Sequence, residues 1–467
     1  MGYPSSGEAA RVVLKPGVLS RSGEIFLELM EKVASGEASA EERERFYNDQ
    51  AGLMDYILNA SAGELFDVQK VKLGDMPAGF SFRFTRCDNC GEEFLSACDY
   101  RVGGKTLCAM CAATIYTKEE WNMQFDKILE KATERELEKD EALFLLENAN
   151  DWQQQLKLLN TASFVRDKYV GRIFKLKAFA ISTNQGCKTS PPCRYCGQAS
   201  ANFKFFKTVA GPEEVAESVR IAEEIGFKGV QLGGGCSGNK GAEAVEDARI
   251  VKEITNLDVF VNYGADMSEE NIVKLKELGI GTIGCSFETI NEEIFKKIKP
   301  GESLEERKKV AELIDKHGVG LASGIMIGVG ETYEDRVEHI FYLKNFKNLR
   351  LVYISGFFPI PGTPMGNQPP ATSMEIAKTM AITRLVHRHI DVDGSFGRDD
   401  QLQLWIMAGA NHRIIHGIFE PVSKIGQFRR FRGETRKIGD DFVFMNILPI
   451  YVNMVKGVGL QPDLNKK

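Results

Sequence analysis

Seven of the ten cysteines of this chain stand in two tight clusters. The second cluster reads Cys187-Lys-Thr-Ser-Pro-Pro-Cys193-Arg-Tyr-Cys196-Gly. Three thiolates on one loop can bind three irons of a four-iron cluster and leave the fourth iron open, and an open iron can chelate the amine and carboxylate of an amino acid. The alternatives are a zinc ion with a fourth ligand from elsewhere in the chain, or three thiols without a metal.

The first cluster has the spacing Cys87-x2-Cys90-x17-Cys108-x2-Cys111. Two Cys-x2-Cys pairs can close a tetrahedral site of four thiolates. Gly91 follows the first pair and a short β run leads into the second, as in zinc ribbons. We therefore expect a zinc site that is structural or that docks a protein partner. A second 4Fe-4S cluster suits the same four donors and stays open as an alternative.

Composition and charge bound the class of protein. Apolar residues make up 43% and charged residues 27% of 467 residues, which is normal for a globular protein with one large domain and smaller units. The net charge of -6 gives no reason to expect nucleic acid. No apolar run is long enough for a membrane helix, and 1–17 lacks the apolar core of a secretion signal. We expect a cytoplasmic protein whose clustered cysteines bind metal.

From about Arg172 onward, short β-rich runs alternate with amphipathic helices. The predicted strands are Leu176–Ser182, Gly229–Leu232, Val259–Tyr263, Gly281–Cys285, Gly320–Ile327 and Arg350–Phe357. The predicted helices between them are Pro212–Ile225, Ala244–Ile254, Glu269–Leu278, Leu304–His317 and Tyr333–Asn345. Six strand–helix units predict an α/β fold with a parallel sheet, closed into a partial (β/α)6 barrel of the TIM type.

This pattern divides the chain into four predicted segments. They are a helical and metal-ribbon module at 1–117, a helical connector at 118–170, the partial barrel at 171–380 and a C-terminal, barrel-completing region at 381–467. Ligands of such sheets bind where the strands end. The cysteine triad follows the first strand, so it is predicted to lie at the mouth of the barrel.

Two further loops at strand ends carry candidate binding residues. Gly233, Gly234 and Gly235 follow the second strand, and glycines let the backbone approach a charged ligand; the simpler interpretation is a tight turn. Glu288 follows the fourth strand, where a carboxylate can accept hydrogen bonds from ribose hydroxyls; the simpler interpretation is a surface salt bridge.

The triad loop, with Tyr195 before its last cysteine and Gly197 after it, resembles the cluster loop of the radical S-adenosylmethionine (SAM) enzymes. The usual spacing in that family is Cys-x3-Cys-x2-Cys, whereas this chain has Cys-x5-Cys-x2-Cys, a spacing found in HmdB-type maturases of the Fe-hydrogenase cofactor. Several downstream segments resemble the biotin-synthase branch, and the resemblance covers about 172–418. These segments are 324–332, 359–364, 397–398 and 408–411.

The resemblance implies a function. An electron from a 4Fe-4S cluster on the triad would cleave SAM into methionine and a 5′-deoxyadenosyl radical, which abstracts hydrogen from a small-molecule cofactor or cofactor precursor. The electron would come from a donor such as ferredoxin or flavodoxin. The same resemblance implies that Tyr195, the glycine loop and Glu288 bind SAM, with the glycines at the methionyl amine.

The chain departs from biotin synthase itself. That enzyme holds a second, 2Fe-2S cluster at four positions that fall here near Leu232 and at Phe260, Ala322 and Asp393. None of these side chains can replace the family's three cysteines and one arginine. Cys236 and Cys285 lie close by without matching those positions, and each is as easily read as an ordinary buried thiol.

The substrate is not fixed by any named residue. Four basic side chains could meet an anionic substrate or be solvated or satisfied in the core, and these are Arg384, His387, Arg388 and His389. Two other functions stay open. One is sulfur insertion, as in lipoyl or biotin synthesis, fed by a second Fe-S cluster at the N-terminal cysteines. The other is a non-catalytic scaffold carrying a zinc ribbon.

Overall fold

The structure, a computed structural model, resolves the chain into two compact units, Met1–Asp99 and Tyr100–Lys467. It describes residues 2–3, 8–14, 32–33, 38–72, 84–89, 91, 93–95, 100–102, 105–107, 118–180, 187–197, 210–394, 399–419 and 433–465. None of the helices in these ranges combines the length and the apolarity needed to span a membrane.

Among its described residues, the first unit has short strands and helices. Strands β1 to β3 form an antiparallel sheet in that order, and β4 pairs with β5 as a hairpin. The elements are β1 (Gly2–Tyr3), β2 (Glu8–Leu14), α1 (Ala40–Asn59), α2 (Ala62–Leu65), β3 (Phe66–Lys72), β4 (Phe84–Arg86) and β5 (Glu93–Leu95). Helix α1 begins at a capping box in which Ser39 and Glu42 satisfy each other's backbone N–H groups.

A nine-stranded parallel sheet dominates the second unit. Its ladder runs β14-β13-β12-β11-β10-β9-β8-β15, and β19 pairs with β8. The strands are β8 (Ile173–Phe179), β9 (Gly229–Gly233), β10 (Asp258–Asn262), β11 (Thr282–Gly284), β12 (Gly320–Ile327), β13 (Leu349–Gly356), β14 (Asp391–Asp393), β15 (His412–Ile415) and β19 (Gln461–Asp463). The six predicted strands are β8 to β13, so the predicted barrel is confirmed.

Asn411 joins the two ends of this ladder and makes the barrel nearly closed. Its backbone N–H donates to the carbonyl of Val392 on β14 at 3.2 Å, and its side-chain oxygen accepts from the N–H of Val392 at 2.9 Å. Its amide nitrogen donates to Asp391 at 2.6 Å. Three hydrogen bonds of Asn411 thus replace a regular strand ladder between β14 and β15.

Helices cover the outer face of the barrel. Most of them begin at a Ser, Thr or Asn whose side chain accepts from the first turn, as Ser268, Asn291 and Thr332 do. The helices that follow β8 to β13 are α6 (Pro212–Glu224), α7 (Ala242–Ile254), α8 (Glu269–Glu277), α9 (Glu292–Ile298), α10 (Leu304–Lys316), α11 (Tyr333–Tyr342) and α12 (Ser373–Val386).

Three helices precede the barrel: α3 (Lys118–Ala132), α4 (Lys139–Asn148) and α5 (Trp152–Tyr169). Phe125, Leu145 and Leu158 from these helices join the main apolar core with the barrel helices. The backbone N–H of Leu137 donates to the carbonyl of Leu385 on α12. The helices of 118–170 therefore pack against the helices of the barrel.

The remaining elements flank the barrel. A hairpin of β6 (Tyr100–Val102) and β7 (Lys105–Leu107) precedes it, and an antiparallel sheet in the order β16-β18-β17 follows it. These later elements are α13 (Leu402–Met407), β16 (Ile418–Phe419), β17 (Glu434–Ile438), β18 (Phe442–Asn446) and α14 (Leu448–Gly457). Short 3-10 turns occur at Leu343–Asn345 and Asp399–Gln401.

A buried ionic cluster fastens α11 to α12. Arg336 donates to Glu331 at 3.0 Å and to Glu375 at 2.5 Å, and Lys378, only 2% exposed, donates to Glu375 at 2.9 Å. Burial alone would raise the pKa of Glu375, but the hydrogen bonds from Arg336 and Lys378 lower it. Glu375 is therefore an anion that compensates two buried cations.

We predict that Glu375→Gln lowers the free energy of unfolding by about 3 kcal/mol near neutral pH, because it leaves Lys378 buried without a carboxylate. Since the folded pKa of Glu375 is lowered, the stabilisation exists above the unfolded carboxyl pKa and disappears as the pH falls through the folded value. Denaturant unfolding between pH 7 and acid measures this. Glu246→Gln, which removes an exposed pair with Arg249, is the matched control and should be nearly neutral. An equal loss in both variants would contradict the prediction.

Candidate functional site

The cysteine triad lies on 187–197 and packs against the glycine loop that ends β9. The backbone N–H of Lys188 donates to the carbonyl of Cys236 at 2.7 Å. A Cβ atom on Gly235 would stand 2.6 Å from the Cβ and 3.0 Å from the Cα of Cys187. No side chain fits between these two loops, so glycine is required for their contact. The simpler interpretation of this loop as a tight turn does not account for a requirement for glycine at position 235.

Two thiols and a hydroxyl meet at Cys187. Its sulfur lies 3.0 Å from the hydroxyl oxygen of Thr189. A hydrogen bond with the Cys236 thiol, helped by Thr189, lowers the pKa of Cys187 to about 5, against the effect of burial. The same contact raises the pKa of Cys236. Of these two thiols, Cys187 is therefore the one that loses its proton more readily, and the thiolate is the form that binds metal.

The other two cysteines share one turn. The N–H of Cys196 donates to the carbonyl of Cys193 at 3.3 Å. Cys193 is only 6% exposed, its sulfur lies 3.3 Å from a carboxylate oxygen of Glu302, and burial raises its pKa to about 12. Cys193 must lose a proton to bind metal, so a positive charge nearby favours its role.

That positive charge comes from Lys299 and Arg307, which the sequence analysis did not single out. Lys299, 5% exposed, lies 3.5 Å from Glu302, and Arg307 donates to Glu302 at 2.6 Å. Burial alone would lower the pKa of Lys299. The neighbouring carboxylates, above all that of Glu288, raise it. Lys299 follows α9 and Arg307 lies on α10. Because neither residue stands at the end of a strand, the strand pattern of the sequence did not point to them.

Glu288 stands at the mouth of the barrel in a left-handed backbone conformation, with φ of 64°. Its N–H donates to Gly324 at 3.0 Å, and its carbonyl accepts from Met326 at 2.7 Å, so β12 holds the strained residue in place. Its carboxylate accepts from the hydroxyl of Tyr195 at 3.2 Å. The hydroxyl of Tyr195 also accepts from Lys299 at 3.1 Å. The side chain of Glu288 is thus only 15% exposed and lies 3.9 Å from the buried Lys299, while its role in binding ribose stays a prediction.

The glycine loop is crowded along its length. A Cβ on Gly233 would lie 2.8 Å from the ring of Phe179, and the N–H of Gly234 donates to the carbonyl of Asn262 at 3.1 Å. The structure therefore brings the predicted glycines, Tyr195 and Glu288 to the same edge of the barrel as the triad. That arrangement presents backbone groups and one carboxylate to a ligand above the cysteines.

The donor set distinguishes between the candidate metals. Across the described ranges, no three His, Cys, Asp or Glu side chains converge as a single metal ion requires. In a 4Fe-4S cluster each thiolate binds its own iron, so the donors surround the cluster and do not converge on one point. Three soft donors on one loop, with Lys299 and Arg307 beside them, fit an anionic iron–sulfur cluster better than one zinc ion.

The N-terminal cysteines are only partly covered by the structure. Cys87 is 2% exposed and begins a turn that the N–H of Gly91 closes at 2.8 Å, with Gly91 in the left-handed region. The side chain of Arg86 donates to the carbonyl of Gly91 at 2.8 Å. The predicted partners of Cys87 lie outside the described residues, and these are Cys90, Cys108 and Cys111.

The other candidate residues have structural surroundings. Arg384 is fully buried and donates to the carbonyl of Gly409 at 2.9 Å, while His387 bonds the carbonyl of Ile340 at 2.8 Å. Arg388 donates to backbone carbonyls of Ala132 and Arg135, and His389 is exposed. Arg384 and His387 are thus hydrogen-bonded in the core and His389 is solvated, whereas the Nε of the buried Arg388 has no hydrogen-bond partner among the residues that the structure describes.

The biotin-synthase positions carry no cluster ligands. Phe260 and Ala322 pack together inside the barrel, Leu232 belongs to the outer core, and Asp393 is hydrogen-bonded to His412. Of the two nearby thiols, Cys236 contacts Cys187, and Cys285 is buried and donates to the carbonyl of Arg307 at 3.4 Å. The thiol of Cys285 is thus an ordinary core group, whereas that of Cys236 belongs to the site.

Comparisons with known proteins agree with an iron–sulfur site at the cysteine triad. Residues 181–343 match the radical SAM superfamily. The chain is 44% identical over 259 residues to the uncharacterized protein MJ0785 of Methanocaldococcus jannaschii, covering 55% of this chain and 68% of that protein. It is 30% identical over 265 residues to the FeFe-hydrogenase maturase subunit HydE of Thermotoga maritima, covering 56% of this chain and 73% of that protein.

Two further similarities concern the branch and the fold. The chain is 27% identical over 288 residues to the biotin synthase of a Hydrogenobaculum species, covering 60% of this chain and 84% of that enzyme. The crystal structure of methylornithine synthase superposes with a TM-score of 0.60 and 23% identity, covering 73% of this chain and 97% of that one. The chain is therefore an enzyme that belongs to the radical SAM superfamily, in its biotin-synthase-like branch.

Proposed function

We propose that Cys187, Cys193 and Cys196 hold a 4Fe-4S cluster at which SAM is cleaved, and that the 5′-deoxyadenosyl radical abstracts hydrogen from a small-molecule cofactor or cofactor precursor. The contact of the triad loop with Gly235 carries this proposal, because it places the thiol donors directly beside the glycine loop. The similarity to a hydrogenase maturase and to biotin synthases, both in the same superfamily, supports it.

A reduced 4Fe-4S cluster, when bound, supplies the electron that breaks the C5′–S bond of SAM. The residues of the chain position the SAM molecule. We assign backbone carbonyls of Gly233, Gly234 and Gly235 to the methionyl amine, because glycine has no side chain of its own to cover them. Glu288 accepts hydrogen bonds from ribose hydroxyls, and Tyr195, bonded to Glu288, holds that carboxylate in place.

The buried cations have an electrostatic part in this proposal. Without metal, Lys299 and Arg307 balance Glu288 and Glu302. Deprotonated cysteines add negative charge, and the two cations lie close enough to offset part of it. Both cations and Cys193 are buried, which strengthens the interactions between them.

The finer assignment is HmdB-like maturase chemistry on a small molecule. The Cys-x5-Cys-x2-Cys spacing favours it, and the similarity to a maturase supports it. The proposal includes a cytoplasmic location and a ferredoxin or flavodoxin as electron donor. It does not include nucleic acid or a membrane as partner.

We predict that Cys193→Ala abolishes the formation of 5′-deoxyadenosine from SAM and removes the iron–sulfur cluster, because two thiolates cannot hold three irons. Product analysis under anaerobic, reducing conditions together with iron and sulfide determination measures both effects. Cys285→Ala removes a buried thiol away from the triad loop and serves as the control, with both quantities retained. Formation of 5′-deoxyadenosine by the Cys193 variant would contradict the proposed function.

Gly235→Ala tests the loop contact separately. The added methyl group would lie 2.6 Å from the Cβ of Cys187, and part of the obstruction is backbone that cannot move aside cheaply. We expect iron content after anaerobic reconstitution to fall by at least half while the chain stays folded, because the triad loop is displaced. Gly52→Ala, where nothing lies within 4 Å, should keep its iron. Full iron content in the Gly235 variant would show that the loop contact is not needed.

We also propose that Cys87, Cys90, Cys108 and Cys111 bind one zinc ion. The buried Cys87 and the turn closed by Gly91 support this, because zinc ribbons use such turns to aim backbone N–H groups at a thiolate. A ribbon of this kind would stabilise the N-terminal region or dock a protein partner.

We predict about one zinc and about four irons per chain in the anaerobically purified protein, and Cys87→Ser should lose the zinc and keep the iron. Elemental analysis of both proteins gives the answer. About eight irons without zinc would instead support a second Fe-S cluster and a sulfur-inserting reaction. Zinc without iron in either protein would favour a non-catalytic scaffold.

A further inference from the structure

The thiol of Cys236 lies against the first cysteine of the triad, although the proposed function gives it no part. It forms a hydrogen bond with the sulfur of Cys187. The backbone around it fixes this approach, because the N–H of Lys188 donates to the carbonyl of Cys236 at 2.7 Å. The contact of the two sulfurs is therefore built into the packing of two loops and does not depend on one flexible side chain.

A third loop also closes on the sulfur of Cys236. Gly264 lies two residues after β10 and has a left-handed backbone conformation, with φ of 81°. A Cβ atom on Gly264 would stand 2.6 Å from the sulfur of Cys236, so the thiol fills the space that a side chain would take. The thiol is thus in contact with both Gly264 and Cys187, which keeps it beside the triad.

The sulfur of Cys187 is surrounded by further hydrogen-bond donors. The hydroxyl oxygen of Thr189 lies 3.0 Å from it. The backbone N–H groups of Thr189 and Cys236 also donate to it. A side-chain donor from each of the two loops, the Cys236 thiol and the Thr189 hydroxyl, therefore reaches one triad sulfur.

The surroundings of Cys193 are different. Its sulfur lies 3.3 Å from a carboxylate oxygen of Glu302, and Arg307 donates to the same carboxylate at 2.6 Å. A carboxylate held by a guanidinium accepts hydrogen bonds and has none to donate. The neutral side-chain donors beside Cys187 therefore distinguish its sulfur from that of Cys193.

The direction of the hydrogen bonds at Cys187 follows from the chemistry of a ligand sulfur. A sulfur bound to iron carries no proton, so the thiol of Cys236 and the hydroxyl of Thr189 can only donate to it. Donation stabilises negative charge on sulfur, and a reduced cluster carries one more negative charge than an oxidised one. The two donors therefore favour the reduced state.

We propose that Cys236 and Thr189 are positioning residues whose side chains donate hydrogen bonds to the Cys187 sulfur in the cluster-loaded chain and thereby raise the reduction potential of the cluster. This inference deepens the proposed function and rests on it for the presence of the cluster. It makes Cys236 a donor to a ligand and not a fourth ligand, because a fourth thiolate would close the iron that SAM needs.

Both side chains also border a surface cavity of about 590 Å³, which Lys188 and Arg307 help to line. Truncating Cys236 or Thr189 therefore enlarges a cavity that already exists and opens no void in the apolar core. We expect such variants to fold, which makes the effect on the cluster measurable.

The test is a redox titration of the anaerobically reconstituted, full-length chain, followed by electron paramagnetic resonance of the reduced cluster. At the midpoint of the parent chain, Cys236→Ala and Thr189→Val should each lower the ratio of reduced to oxidised cluster about fivefold, because each loses one donor. At about 59 mV per tenfold change for one electron, the midpoint falls by about 40 mV. Cys236→Ser and Thr189→Ser keep a hydroxyl donor and should stay within about twofold of the parent ratio.

Two variants serve as matched controls. Cys285→Ala removes a thiol away from the triad loop, Ser190→Ala removes an exposed hydroxyl on that loop, and both should titrate as the parent chain does. An unchanged midpoint in Cys236→Ala with full iron content would overturn the inference and leave the proposed function intact. Loss of iron from both Cys236 variants would show that Cys236 is a ligand and would likewise overturn it. A parent chain without a reducible four-iron cluster would overturn the proposed function and this inference with it.

Discussion

The arrangement of the whole site depends on the close contact between the triad loop and the glycine loop, which leaves no room for a side chain between them. Gly235 touches Cys187 so closely that a single methyl group would overlap it. This contact can form only where parallel strands end side by side, since both loops leave the same edge of the sheet. The barrel, its helices and the closing bridge at Asn411 serve to keep β8 and β9 in that position.

Charge compensation is the second constraint on the site. Cysteines that bind metal as thiolates bring negative charge into a buried region, and the chain places Lys299 and Arg307 there. The same cations are shared with Glu288 and Glu302, so the cysteine turn, the strand-end carboxylate and helix α10 form one network. The strained backbone of Glu288 belongs to this network and keeps its carboxylate at the mouth of the barrel.

Much of this arrangement was predictable from the sequence because it depends on local signals. The spacing of the cysteines and the alternation of strands and helices can be recognised from neighbouring residues, without knowledge of contacts that are distant in the sequence. The strands β14 and β15 were missed because they are short and carry charged residues such as Asp393 and Arg413, which pair with each other across the sheet. Lys299 was missed because its role depends on the burial of a turn, and three-dimensional packing alone decides that.

The central claim is that the triad holds a cluster with one open iron to which SAM binds. Electron paramagnetic resonance of the reduced, reconstituted chain, recorded with and without SAM, tests it most directly. The account predicts a 4Fe-4S signal whose g values shift on adding SAM, because a new ligand occupies the open iron. A reduced cluster whose spectrum is unchanged by saturating SAM, or a chain with no such signal, would contradict it.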